Sequence, residues 1–209
     1  MIRYKTAVMA AATAMAVFSP GAQAQTASGK FTCDAETYTI ESAVAAWIPA
    51  DKSFVVWAFT AKLTDDELKA YAFVEGSGRM KDQPKALSDK AFQKVGWDAQ
   101  KKAREGKSIM LRGSLKESAQ KVEWKNADRA TLMYVNCLKN ANLNFNMYPG
   151  DKNPKMDIAK AFKSFDFPLK DGAKVKYQTI AFSHAPNPKG IDTKTTWDYK
   201  VDTRVYVLE

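Results

Sequence analysis

Apolar and polar residues alternate most regularly at the end of the chain, with Trp197, Tyr199, Val201, Thr203, Val205 and Val207 on one side and Asp198, Lys200, Asp202 and Arg204 on the other. A period of two is that of a strand with one buried face. The same period sets Ile109, Leu111, Gly113 and Leu115 against Met110, Arg112 and Ser114, and Leu143, Phe145 and Met147 against Asn142, Asn144 and Asn146. Further strands are predicted over about residues 38–48, 53–61, 131–138 and 174–182. In the first of these Tyr38, Ile40, Val44, Ala46 and Ile48 are assigned to one face. The second is apolar on both faces, which implies burial on both sides. Turn chemistry separates them at Pro49-Ala50-Asp51-Lys52, and Lys170-Asp171-Gly172 marks another tight turn. His184 to Gly190, with Pro186, Pro188 and Gly190, reads as a loop.

Helical spacing appears in three places. Thr64-Asp65-Asp66-Glu67 matches a capping box, predicting a short helix through about Val74 with Leu68, Tyr71 and Ala72 inward. Phe92, Val95, Ala99 and Ala103 recur every three or four residues, predicting a lysine-rich amphipathic helix between Ser88 and Gly106 that must tolerate Gly96. Ile158, Ala161, Phe162 and Phe165 stand at i, i+3, i+4 and i+7, predicting a third helix from near Asp157. The strands come mostly as hairpin-like neighbours. The fold class is therefore α+β, β-dominated: an antiparallel sheet or sandwich with about three peripheral helices.

The first 24 residues change the picture from fold to destination. Arg3 and Lys5 precede an apolar run over residues 7–18, Ser19-Pro20-Gly21 breaks it, and Ala22-Gln23-Ala24 has the small residues that a signal peptidase accepts. A run of about 12 residues is short against the roughly 20 of a membrane span. Residues 1–24 are thus expected to be a signal peptide and residues 25–209 a single exported domain of 209 − 24 = 185 residues. The expected location is periplasmic or extracellular, with no transmembrane segment after cleavage. Cys33 and Cys137 are the only cysteines, and in an oxidising compartment they are expected to form a disulfide.

Of the 32 basic residues, two lie in the signal segment, which holds none of the 23 acids; the exported part carries 30 − 23 = +7. Only six of the 32 are arginine. Lysine is a hydrated point charge rather than a planar fork, so the excess disfavours a nucleic-acid reader and leaves attraction to anionic lipid or polysaccharide. The lysine-rich helix, with Phe92, Val95 and Trp97, also suits a solvated face packed on a sheet better than a membrane surface.

Catalytic sets are hard to assemble from these residues. His184 is the single histidine and adjoins Ser183, an arrangement in which neighbouring side chains on an extended segment point apart. One histidine and a paired cysteine couple cannot complete a zinc site. Asp151, Asn153 and Asp157 depart from a calcium loop, because Pro154 intrudes and no glutamate closes it, whereas capping by Asp157 accounts for that residue. Trp47, Trp57 and Trp197 belong inside strands as core; Trp97 and Trp124 are expected to be partly exposed.

The least ordinary feature is the asparagine face. Side-chain amides both donate and accept, as sugar hydroxyls require, and an aromatic ring can stack on a pyranose. Asn142, Asn144, Asn146 and Tyr148 are the candidate ligand-binding residues, set against the ordinary reading of a solvated strand face. The expected function is that of an exported, non-catalytic protein without cofactor or metal. Its partner would be a glycan, an anionic envelope component or another exported protein. The alternatives are a carboxylate-dependent envelope hydrolase and a structural subunit of an exported assembly.

Overall fold

In the computed structural model the described residues are 26–33, 36–138, 141–150, 157–180, 182–184 and 195–209. They form strands β1 (Ala27–Cys33), β2 (Glu36–Thr39), β3 (Ser42–Ile48), β4 (Ser53–Phe59), β5 (Ser108–Leu115), β6 (Ala127–Leu138), β7 (Ala141–Met147), β8 (Phe162–Asp166), β9 (Lys174–Thr179), β10 (Phe182–His184) and β11 (Thr195–Val207). Two α-helices, α1 (Asp65–Ser77) and α2 (Lys90–Glu105), and four short 3-10 turns complete the described elements. The fold is β-dominated α+β, as expected, with two helices instead of three.

A single curled sheet runs in the order β2-β1-β11-β3-β4-β5-β6-β7, with β9 and β10 also on β11 and β8 on β9. It is mixed rather than antiparallel. β11 pairs antiparallel with β1 from Thr32↔Thr196 to Ala27↔Val201, and then parallel with β3 from Val205↔Ala45 to Val207↔Trp47. The cause is local. β2 reverses direction beside β1, and β3 continues in the direction of β2, so it meets β11 running the same way. Gly29 makes the passage possible: at φ +120 its carbonyl accepts from the Ile40 amide at 3.0 Å, and any Cβ there would lie 2.4 Å from the Asp198 carbonyl oxygen.

The bend at Ile40 also divides the first predicted strand. Ile40, Ala43, Ala45 and Trp47 face one core, whereas Val44, Ala46 and Ile48 face another. The first core lies between the two halves of the curled sheet, where β4 contributes Phe54, Val56 and Ala58 and the opposite half contributes Phe31, Phe167, Tyr177, Trp197 and Tyr199. The second lies under the helices, where Val55, Trp57 and Phe59 meet Leu68, Tyr71, Ala99 and Ala103. Every residue of β3 and of β4 is buried. That agrees with the double-sided apolar pattern of residues 53–61, and Trp47, Trp57 and Trp197 are core.

The expected capping box is present, and α2 also has an N-cap that the sequence pattern did not assign. Thr64 accepts from the Glu67 amide and the Glu67 side chain accepts from the Thr64 amide, closing the capping box of α1. Asp89 caps α2 by accepting from Ala91 at 2.8 Å. α1 runs on through Glu75 and Gly76 to Ser77 instead of stopping near Val74. On α2 the buried positions are Gly96, Ala99 and Ala103, while Val95 and Trp97 are exposed.

The predicted third helix is strand β8, preceded by one short 3-10 turn over Ile158–Lys160. Its helical spacing has a different origin. The β8–β9 register shifts between Phe162 and Ser164, and this bulge brings two phenylalanines three residues apart onto one side. Both rings pack on Trp124, at 5.5 and 4.1 Å, and on Tyr177, at 5.4 and 5.9 Å between centroids. His184, expected in a loop, ends strand β10 with its backbone paired to Thr195.

Candidate functional site

The helices cover the outer face of β3 and β4 and reach as far as Met110 of β5. Beyond that point the same face is polar. Cross-strand registry fixes its rows: Ser53 pairs with Ser114 and Ser114 with Arg129, while Val55 pairs with Arg112, Arg112 with Thr131 and Thr131 with Asn146. Directly paired residues share a face of a sheet, so Arg112, Thr131 and Asn146 form one continuous row across β5, β6 and β7.

Arg79, just past the end of α1, closes over this face from the helix side. With Arg112, Arg129, Asp51, Ser53 and Ser114 it lines a recess of about 190 Å³. Arg79 and Arg112 are half-buried and Arg129 is exposed. Burial first, and then the charges of Arg79 and Arg129, lower the pKa of Arg112 from its ordinary value. A guanidinium nonetheless stays charged at neutral pH. Among the described residues no ion pair uses any of these three arginines. The one carboxylate on the wall, Asp51, accepts from the Ser53 amide at 3.0 Å. The Ser53 hydroxyl is buried at 5% exposure and has no hydrogen-bond partner among the described residues.

Three like charges held together without paired carboxylates attract an anion, and forked donors suit oxyanions in particular. Thr131 extends the site sideways. It is buried, and its hydroxyl donates to the Asn146 Oδ1 at 2.8 Å, which leaves the Asn146 amide NH₂ to face outward from an exposed residue.

The predicted site residues are only partly gathered here. Asn146 joins the arginine row, and Tyr148, two residues on, is 44% exposed with its backbone bridged to Asp157. Asn142 and Asn144 belong to β7, and their side chains lie outside the described residues. Cys33 is wholly buried on β1, no free thiol occurs among the described residues, and Cys137 lies on β6 with its side chain outside them. Asp157 accepts from the amides of Gly150 and Ala159, a capping role, while Asp151 and Asn153 are outside the described residues. No group of three or more His, Cys, Asp or Glu among the described residues could hold a metal ion, and no helix among them is long and apolar enough to cross a membrane.

No family model matches the chain, and neither a curated protein nor a solved structure is similar enough to count as a match. The arginine cluster was not visible as a motif, because Arg79, Arg112 and Arg129 are spread over 129 − 79 = 50 positions. One signal was available: Arg112 interrupts the outer face of a strand between Met110 and Ser114.

Proposed function

We propose that this chain is an exported, non-catalytic protein that binds an anionic envelope component on the uncovered face of β5, β6 and β7. The observation that carries this reading is the recess itself. Of the five arginines after residue 24, three line it, and none of the three is neutralised by a carboxylate among the described residues. Lysine supplies the general positive field that draws an anion in, while the arginines supply the geometry that holds it. A carboxylate-dependent hydrolase has less support, because two acids must flank a scissile bond and the recess has Asp51 alone.

Retention on an immobilised anionic envelope polysaccharide tests the reading. The double variant Arg112→Gln/Arg129→Gln removes two positive charges from the recess, and Lys121→Gln/Lys200→Gln removes two exposed ones elsewhere. The arginine variant is expected to elute at clearly lower salt than the lysine variant. Equal elution of the two would reduce binding to net charge and discard the site.

A further inference from the structure

The geometry points to a phosphate ester on a saccharide as the group this recess receives, with the phosphate among Arg79, Arg112 and Arg129 and the sugar along Thr131 and Asn146. This rests on the anion-binding reading above and narrows it.

Size is the first argument. At about 190 Å³ the recess has room for on the order of six waters and is smaller than the roughly 300 Å³ at which pockets begin to enclose drug-sized ligands. It fits one oxyanion and leaves the carrier outside, on the row that continues to Asn146.

Ser53 is the second and independent argument. Its hydroxyl is buried without a partner among the described residues, on a wall where Arg79, Arg112 and Arg129 offer only donors and the one carboxylate, Asp51, accepts from the Ser53 amide instead. Buried hydroxyls are almost always hydrogen-bonded. An oxyanion oxygen in the recess supplies the missing acceptor.

Asp51 selects among oxyanions. A carboxylate on the wall repels a bare anion, yet it accepts from one that keeps a proton. A phosphate monoester, with a second pKa near about 6, carries that proton in part of its population at neutral pH, whereas a sulfate ester and a sugar carboxylate do not. The outward amide of Asn146 then faces the hydroxyls of the carrier ring.

Calorimetry with glucose 6-phosphate, glucose 6-sulfate, glucuronate, inorganic phosphate and glucose at about 0.15 M salt decides this. Glucose 6-phosphate is expected to bind roughly tenfold more tightly than its sulfate and glucuronate counterparts, and glucose not at all. Ser53→Ala should weaken glucose 6-phosphate by roughly tenfold without lowering the melting temperature, since the hydroxyl lost had no partner. Asn146→Ala should weaken glucose 6-phosphate and leave inorganic phosphate unchanged. Arg112→Gln should abolish binding of both, and Arg129→Gln, at an exposed position, repeats the test should the first variant fail to fold. Equal affinity for the phosphate, sulfate and carboxylate sugars, or an unchanged Ser53→Ala variant, overturns the phosphate assignment while arginine-dependent retention on the polysaccharide stands. Loss of that arginine dependence together with absence of any anion binding overturns both.

Discussion

Gly96 of α2 lies so close to Ala70 of α1 that a Cβ on the glycine would fall 2.8 Å from the Ala70 carbonyl oxygen and 2.5 Å from the Cγ2 of Val74. The two helices therefore touch at backbone distance. Gly96→Ala improves helix propensity by about 1 kcal/mol, but the methyl must push the helices apart, and overpacking costs typically about 1–3 kcal/mol. The variant is expected to melt a few degrees lower, since about 1 kcal/mol shifts a domain of this size by roughly 2–4 °C. A raised melting temperature would show that the helices do not meet at this glycine.

The cysteine prediction joins export to stability. Cys33 is buried on β1, and β1 approaches β6, which carries Cys137. Protein recovered from an exporting host is expected to begin at Gln25, to resist alkylation until reduced, and to melt at lower temperature after reduction. Closing a loop of 137 − 33 = 104 residues is worth about 4–5 kcal/mol in the chain-entropy model. Two thiols that alkylate without a reductant would refute the pairing, and an intact mass that retains residues 1–24 would refute the processing.

What could be read from the chain divides along physical lines. Features set by neighbours in sequence were legible: the Thr64 capping box, the double burial of residues 53–59, and the strict alternation of β11. Features set by distant pairing were not. The parallel β3–β11 ladder depends on where β2 turns beside β1, and the helical spacing of Phe162 and Phe165 is produced by a bulge against β9. The site shows the same division. Asn146 could be read as one member of a polar strand face, whereas its continuation through Thr131 to Arg112 exists only in the register of three strands, and Arg79 arrives from a different layer.

Glu67 gives an acid-side prediction. Partial burial raises its pKa, but the bonds from Lys102 and from the Thr64 amide outweigh that, so the folded value lies below the ordinary 4.5. A depressed carboxylate stabilises the fold above its unfolded pKa, and that contribution fades as pH falls through the folded one. Lys102 is raised by the same partner, so its share persists up to its unfolded value of 10.5 and fades above it. Melting temperature followed from pH 7 to about 3 is expected to fall less steeply in Glu67→Gln, which already lacks this contribution at neutral pH, than in the parent. Parallel curves for the two proteins would show that the Glu67 carboxylate is not held by these bonds.

Three phenols set the alkaline limit. Tyr177 donates to the Tyr199 hydroxyl at 3.3 Å inside the first core, and Tyr71 packs on Trp57 and Phe59 inside the second. Burial raises all three pKa values above the ordinary 10.0; Glu75 adds to this at Tyr71, and at Tyr177 the neighbouring Tyr199 does so. The sign follows from proton counting. Above pH 10 the unfolded chain releases protons that the folded chain keeps, so stability declines as pH rises beyond that value. Absorbance at 295 nm should therefore resolve tyrosine ionisation into an early and a late phase. The buried set should ionise later, in one cooperative step that coincides with loss of the sheet signal in circular dichroism. Tyr177→Phe should shrink that late step while leaving the early one unchanged. Smooth ionisation of every tyrosine near pH 10 with the sheet intact would show that these phenols are reached by water.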